Sequence, residues 1–122
     1  MLSEAVAHAA RDFGDTPAVL VDGRGPTWGE VDRAATALAP MLTRRGATAG
    51  DVVALVMHSG PQWLVAATAV DRIGATIAGI SAVVAAPERA RMVETVDAAL
   101  VLADGDLTDG LPLRRSVCLL YT

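Results

Sequence analysis

Gly25–Val56, GPTWGEVDRAATALAPMLTRRGATAGDVVALV, is the segment that decides the fold. Thr27 and Glu30 have the spacing of a capping box, in which a hydroxyl and a carboxylate each accept a backbone N–H of the first helical turn. A helix is therefore predicted from this point. Its apolar residues recur at helical spacing as Val31, Ala34, Leu38 and Met41.

The same segment predicts the end of this helix and the element after it. Arg44 and Arg45 complement the negative end of the helix dipole, and Gly46 stands where a left-handed residue is favoured. Gly50-Asp51 predicts a turn, and the unbroken apolar run 52–57 is typical of a strand covered on both faces. Pro40 conflicts with a regular helix, since it lacks a donor N–H, and predicts a kink or an early end.

Upstream, a first helix and a hairpin are predicted. One helical face carries Leu2, Val6, Ala9 and Phe13, with Ser3 as the expected N-cap. Asp22-Gly23 is a hairpin turn signal, so a strand at 18–21 should return through Gly25 to Trp28. The alternative, that Gly23-Arg24-Gly25 binds phosphate, is weaker because neither a third glycine nor a lysine follows.

Downstream, strands and helices alternate, which predicts a mainly parallel sheet with flanking helices, an α/β fold with an N-terminal hairpin. Ser59 and Gln62 suggest a capping box for a helix over 60–73 that stops at Gly74. Pro87 opens a fourth helix whose inner face is Arg89, Met92, Val93 and Val96. The remaining strands are predicted at 75–80, 98–102 and 116–121, the last containing Cys118 as a small buried apolar residue.

Two groups of polar residues are candidate sites. His58 follows a predicted parallel strand, at the edge where open α/β sheets bind ligands, and the alternative favoured by the sequence is a loop histidine that precedes a cap. Asp104, Asp106 and Asp109 suggest a cation site, but no glutamate completes a calcium loop. A solvated acidic loop is the favoured interpretation.

Composition bounds the class of protein. The 122 residues support one domain, residues 1–122, and a net charge of −4 gives no electrostatic basis for binding nucleic acid or an anionic membrane. One cysteine, no secretory signal and no apolar run of membrane-spanning length favour a reduced, cytoplasmic protein. All ten basic residues other than histidine are arginine, so any mechanism that needs a lysine lies beyond this chain.

The motifs resemble the amino-terminal region of adenylate-forming enzymes, the acyl-CoA synthetases and related adenylation domains. The resemblance is carried by Thr27–Val31, the helix from Leu38 to Gly46, Gly50–Ala54 and Gly74-Ala75. It implies an amino-terminal α/β domain of an enzyme that converts a carboxylate and ATP, with Mg²⁺, to an acyl-adenylate. Many members then transfer the acyl group to coenzyme A or to the thiol of a carrier protein.

The resemblance places the end of the chain at the start of the family's phosphate-binding loop. Thr122, after Tyr121, resembles the first hydroxyl residue of that loop, beside the ATP phosphates, and no other family site residue can be matched. The linker between Leu102 and Ser116 is shorter than usual, and Ile80-Ser81-Ala82 replaces a segment that usually contains proline. No catalytic residue and no metal ligand are therefore expected here.

Two functions lead on the sequence, ahead of a third, a small-ligand-binding domain that would use the strand ends near His58. The first is the amino-terminal part of an acyl- or aminoacyl-activating ligase, catalytically silent alone and binding no cofactor by itself, whose partner is the rest of the adenylation domain or a complementary chain. The second is a non-catalytic α/β binding or dimerisation module. Preorganised donors, cations and Mg²⁺ around the phosphates are required for the chemistry, and the sequence lacks a loop that provides them.

Overall fold

The computed structural model describes residues 1–111 and the backbone of residues 116–119. The helices are α1 (Leu2–Phe13), α2 (Trp28–Arg44), α3 (Pro61–Arg72) and α4 (Ala86–Val96), and a 3₁₀ turn spans Gly105–Leu107. The strands are β1 (Val52–Val56), β2 (Thr76–Ile80), β3 (Leu100–Asp104) and β4 (Ser116–Leu119). They form one parallel sheet in the order β2-β1-β3-β4. The predicted α/β fold is confirmed.

The sheet separates two apolar clusters because alternate residues of a strand face opposite sides. On one face, Val53, Leu55, Leu100 and Leu102 pack with α2 and α3. On the other face, Ala54, Val56, Val101 and Ala103 pack with residues of α4. Alanine is abundant where α3 meets the sheet, and Ala66, Ala67 and Ala69 are fully buried.

The capping box of α2 is confirmed. Glu30 N donates to Thr27 Oγ1 at 3.1 Å, and Thr27 N donates to Glu30 Oε1 at 3.0 Å. The backbone N–H of Thr27, and after it the Thr27 side chain, lower the pKa of the Glu30 carboxyl group. The buried face is wider than predicted, because Ala35 and Leu42 are fully buried while Ala34 and Met41 are only half-buried.

Both predicted glycine stops are confirmed. Gly46 has φ +102°, and the N–H groups of Gly46 and Ala47 donate to the carbonyls of Thr43 and Leu42. Gly74 has φ +80°, and the N–H groups of Gly74 and Ala75 donate to carbonyls in the last turn of α3, those of Asp71 and Val70. This arrangement is the Schellman motif, which satisfies the last carbonyls of a helix.

Pro40 does not end α2 early. The helix continues through Pro40 to Arg44, so an early end is wrong. Pro40 itself is exposed. Buried residues lie on both sides of it, Leu38 and Ala39 before and Leu42 after, and their packing stabilises the helix across the proline.

Two predicted caps are wrong. Met1, not Ser3, is the N-cap of α1, and Ser3 N instead donates to Asp71 Oδ2 at 2.8 Å. Gly60 is the N-cap of α3, so the capping box of Ser59 and Gln62 does not form. Pro61 occupies the first turn of α3 as predicted, and this fixes the start of the helix one residue later than Ser59 requires.

The amino-terminal hairpin forms around the predicted turn. Asp22 and Gly23 have φ +54° and +78°, and Val21 and Arg24 exchange both backbone hydrogen bonds. The flanking segments make isolated antiparallel bridges, Val21 to Arg24 and Pro17 to Thr27, in place of regular strands. Phe13 is 59% exposed, so the predicted apolar face of α1 is buried chiefly through Val6.

The carboxyl half of the chain follows the prediction with one shift. Arg89 and Val93 are the buried residues of α4. Strand β3 lies two residues later than predicted, which makes Asp104 its last residue. None of the helices in the described part of the chain combines the length and the hydropathy of a membrane-spanning segment.

Candidate functional site

The carboxyl edge of the sheet brings polar residues from two strands together. Strands β1 and β3 are parallel neighbours, with Val56 opposite Ala103. The residues that follow them, His58 after β1 and Asp106 after β3, therefore lie at the same edge. Asp104, as the last residue of β3, completes the group.

Two hydrogen bonds join this group. His58 Nε2 and Asp106 Oδ2 are 2.8 Å apart, and the backbone N–H of His58 donates to Asp104 Oδ2, also at 2.8 Å. We call His58, Asp104 and Asp106 the edge triad. One ligand-type atom from each of them lies within 4.8 Å of the others. The sequence suggested the histidine and the aspartates as two separate candidate sites. The structure brings the histidine together with two of the aspartates, while Asp109 stays outside the triad.

The contacts shift two pKa values in opposite directions. The hydrogen bond to Asp106 raises the pKa of His58 above its ordinary value, against a lowering by desolvation. The same bond lowers the pKa of Asp106. The positive charge of Arg89 lowers both pKa values. The side chains of His58 and Asp106 are 55% and 67% exposed, so water and salt screen this pair.

Replacing Asp106 with asparagine should lower the titration midpoint of His58. The raised pKa of His58 means that its contribution to stability is complete below its unfolded pKa and is lost as pH rises through the folded value. For Asp106 the sign is opposite: its contribution to stability is lost as pH falls through its lowered pKa. The ion pair is therefore complete between these two pKa values.

An NMR titration of the His58 ring, with chelator present, measures this effect. Asp109→Asn is the matched control, because Asp109 is an exposed aspartate of the same region that does not contribute to the pKa shift of His58. An identical His58 midpoint in wild type and Asp106→Asn would show that the pair does not form in solution.

An open cleft of about 460 Å³ lies beside the triad, at the carboxyl ends of β1 and β2. His58 and Ser59 line one part, and Trp63 of α3 lies in its wall. Ser81 and Val83, which follow β2, line the rest, and Val83 is 93% exposed. The cleft therefore combines apolar surface with hydroxyl and imidazole groups, as small-molecule sites commonly do.

The residue matched to the family's phosphate loop, Thr122, lies outside the described residues, as does the side chain of Cys118. Sequence reasoning missed the pairing of His58 with Asp106, which are 48 positions apart. A signal was present, since His58 directly follows one predicted strand and Asp106 lies four residues after another, and the carboxyl ends of parallel strands lie at the same edge of a sheet.

Comparison with known proteins supports the resemblance. The chain is 27% identical over 121 residues to a subunit of the linear gramicidin synthase of Brevibacillus parabrevis, covering 98% of this chain and 2% of that protein. It is 30% identical to the nonribosomal peptide synthetase FmoA3, with a TM-score of 0.86, covering 97% of this chain and 13% of that one. FmoA3 has also been solved bound to α-methyl-L-serine-AMP.

The fold also matches part of a solved N-terminal subdomain. The N-terminal subdomain of NpsA from Klebsiella oxytoca superposes with a TM-score of 0.82 at 19% identity, covering 95% of this chain and 30% of that one. The chain thus spans less than a third of each of these relatives. The sequence model described as AMP-binding enzyme matches residues 6–119, and the chain therefore belongs to the family of AMP-binding, adenylate-forming enzymes.

Proposed function

We propose that residues 1–122 form one α/β domain that is the amino-terminal part of an ATP-dependent acyl- or aminoacyl-activating ligase. The observation that carries the proposal is the family match over residues 6–119 together with the fold of an adenylation subdomain. The reaction joins a carboxylate to the α-phosphate of ATP, giving an acyl-adenylate and pyrophosphate. The acyl group then passes to coenzyme A or to a carrier-protein thiol.

Amino acid activation is the version that the relatives favour. FmoA3, at 30% identity, is a peptide synthetase solved with an aminoacyl-AMP, and the gramicidin synthase subunit is named as part of a synthase of a linear peptide. With an amino acid as the substrate, we propose a carrier-protein thiol as the acceptor ahead of coenzyme A.

The chain contributes structure to this reaction and little of its chemistry. Adenylyl transfer needs cations and backbone donors preorganised around the phosphates, and usually Mg²⁺. The chain contains no lysine, and the edge triad brings two carboxylates together, which disfavours binding of a phosphate by the triad itself. Thr122 is the one position proposed to lie beside the ATP phosphates. The remaining adenylation machinery would come from the rest of the domain or from a complementary chain.

ATP–pyrophosphate exchange tests the proposal. The isolated chain should give no exchange with any amino or carboxylic acid. The same chain joined to a polypeptide that supplies the phosphate loop and the rest of an adenylation domain should give exchange that depends on one class of acid. Exchange by the isolated chain would refute catalytic silence, and a folded, complete protein inactive toward every acid would refute the ligase assignment.

A further inference from the structure

We propose that the edge triad, His58, Asp104 and Asp106, binds one divalent transition-metal ion of the Zn²⁺ type. This inference concerns residues of the chain itself and does not depend on the proposed ligase function. One imidazole nitrogen and one oxygen from each carboxylate lie within 4.8 Å of one another, so a single ion can contact all three. Three protein ligands and an open position are the arrangement of many non-structural zinc sites.

Two of the ligand atoms are close enough to share one ion after a small movement. His58 Nε2 and Asp106 Oδ2 are 2.8 Å apart. Two ligands about 2.0–2.2 Å from one tetrahedral zinc ion stand roughly 3.3–3.6 Å apart. A metal can therefore replace the proton between these atoms after a small separation of exposed side chains. The bonds from nitrogen and oxygen to the metal form as that proton leaves to solvent.

The third ligand is oriented by the backbone. Asp104 is the last residue of β3, and its Oδ2 accepts the backbone N–H of His58 from the loop after β1. This bond positions the carboxylate while leaving its second oxygen available. Ligands held by a second hydrogen bond are typical of metal sites in proteins. Because β1 and β3 are paired in the sheet, the loops that carry the triad start from a rigid base.

A buried arginine on α4 has a hydrogen-bond donor that a bound anion would satisfy. Arg89 on α4 is only 7% exposed, and its Nη1 donates to the carbonyl of Val84. Its Nε has no hydrogen-bond acceptor among the described residues. The charge of Arg89 lowers the pKa values of both His58 and Asp106, so the guanidinium lies within electrostatic range of the triad. A buried donor without an acceptor is costly, and an anion carried by the metal would supply one.

The charges fit this combination of cation and anion. Two carboxylates and one guanidinium sum to −1 with His58 neutral, so a dication raises the local charge to +1. That charge favours hydroxide, chloride or a carboxylate in the open coordination position. Mixed imidazole and carboxylate ligands suit Zn²⁺ and its transition-metal neighbours, whereas Mg²⁺ and Ca²⁺ prefer sites made of oxygen alone.

Calorimetric titration of the metal-free chain with zinc chloride tests the site. Wild type should bind one Zn²⁺ per chain, and magnesium chloride should give no comparable signal. His58→Gln and Asp106→Asn should each weaken zinc binding by about tenfold or more, since even groups that only orient metal ligands contribute that much. Both residues are exposed, so circular dichroism of the metal-free variants should match wild type.

Two matched variants exclude other zinc ligands. His8 is the second histidine of the chain and is paired with Asp12 at 2.9 Å on α1, so His8→Gln removes the competing imidazole. Cys118→Ser removes the only thiol. Both should bind Zn²⁺ as wild type does. The proposal fails if wild type binds no Zn²⁺, if His58→Gln binds unchanged, or if either control weakens binding as much as His58→Gln does.

Discussion

Replacing Leu55 with alanine should lower the free energy of unfolding by about 2–5 kcal/mol, the range for removing a buried leucine from a core that cannot fully collapse. Leu55 has no exposed surface and lies in β1, which is paired on both sides by β2 and β3. Its side chain belongs to the cluster that joins the sheet to α2 and α3. The cavity would therefore open where neighbouring elements have least freedom to move.

Urea denaturation followed by circular dichroism measures this loss. Leu20→Ala is the matched control, because Leu20 is 58% exposed in the hairpin and its removal should change stability by less than about 0.5 kcal/mol. Similar losses for the two variants would mean that β1 is not the centre of the core. An altered slope of free energy against urea concentration would indicate a changed denatured state instead.

Replacing Arg72 with alanine should cost about 1.5–3 kcal/mol, the range for hydrogen bonds to a charged group. Arg72 lies at the end of α3 and donates to Ser3 Oγ at 2.8 Å and to Asp32 Oδ1 at 2.9 Å. It also donates to Thr36 Oγ1 at 3.0 Å. One half-buried guanidinium therefore joins three helices, α1, α2 and α3, and its removal leaves several acceptors without a donor.

The shape of the guanidinium, as well as its charge, should matter at this position. Arg72→Lys keeps the charge but cannot reach partners in three directions, and should recover only part of the loss. Arg91→Ala is the control for a surface pair, since Arg91 contacts Glu88 at 2.7 Å with both side chains more than half exposed. A double-mutant cycle with Asp32→Asn should reveal coupling between Arg72 and Asp32. Additive losses would contradict a direct bond between them.

Features decided by neighbouring residues could be predicted from the sequence. The capping box of Thr27 and Glu30, the turn at Asp22-Gly23 and the stops at Gly46 and Gly74 each need only a few consecutive residues. The parallel sheet followed from the alternation of apolar strands and helices. In these places the local preference of the chain agrees with its tertiary structure.

Features decided by distant residues could not be predicted. Ser3 resembles an N-cap, but its backbone and hydroxyl are used by Asp71 and Arg72, 68 and 69 positions away. At α3 two local signals competed, and Pro61 prevailed over Ser59 because its fixed φ suits the first helical turn. Tertiary packing likewise carried α2 through Pro40 despite its unfavourable propensity.

The candidate site was predictable in its location but not in its contacts. The position of His58 at the carboxyl edge followed from the strand before it. The hydrogen bond to Asp106 depended on the pairing of β1 with β3, and the sequence does not determine the order of strands in the sheet. Strand β3 also lies two residues later than predicted, which makes Asp104 a strand residue, and neighbouring residues alone did not indicate this shift.

The attachment of α1 has a consequence for motion. Val6 is the buried residue of this helix, and Phe13 at its end is largely exposed. Leu2 packs at the edge of the core beside it, and Ser3 adds polar contacts with α3. Local opening therefore exposes little apolar surface at α1 and much more at α2 or α3. Amide hydrogens of α1 should exchange with solvent before those of the sheet, through a transient detachment that leaves the parallel core folded.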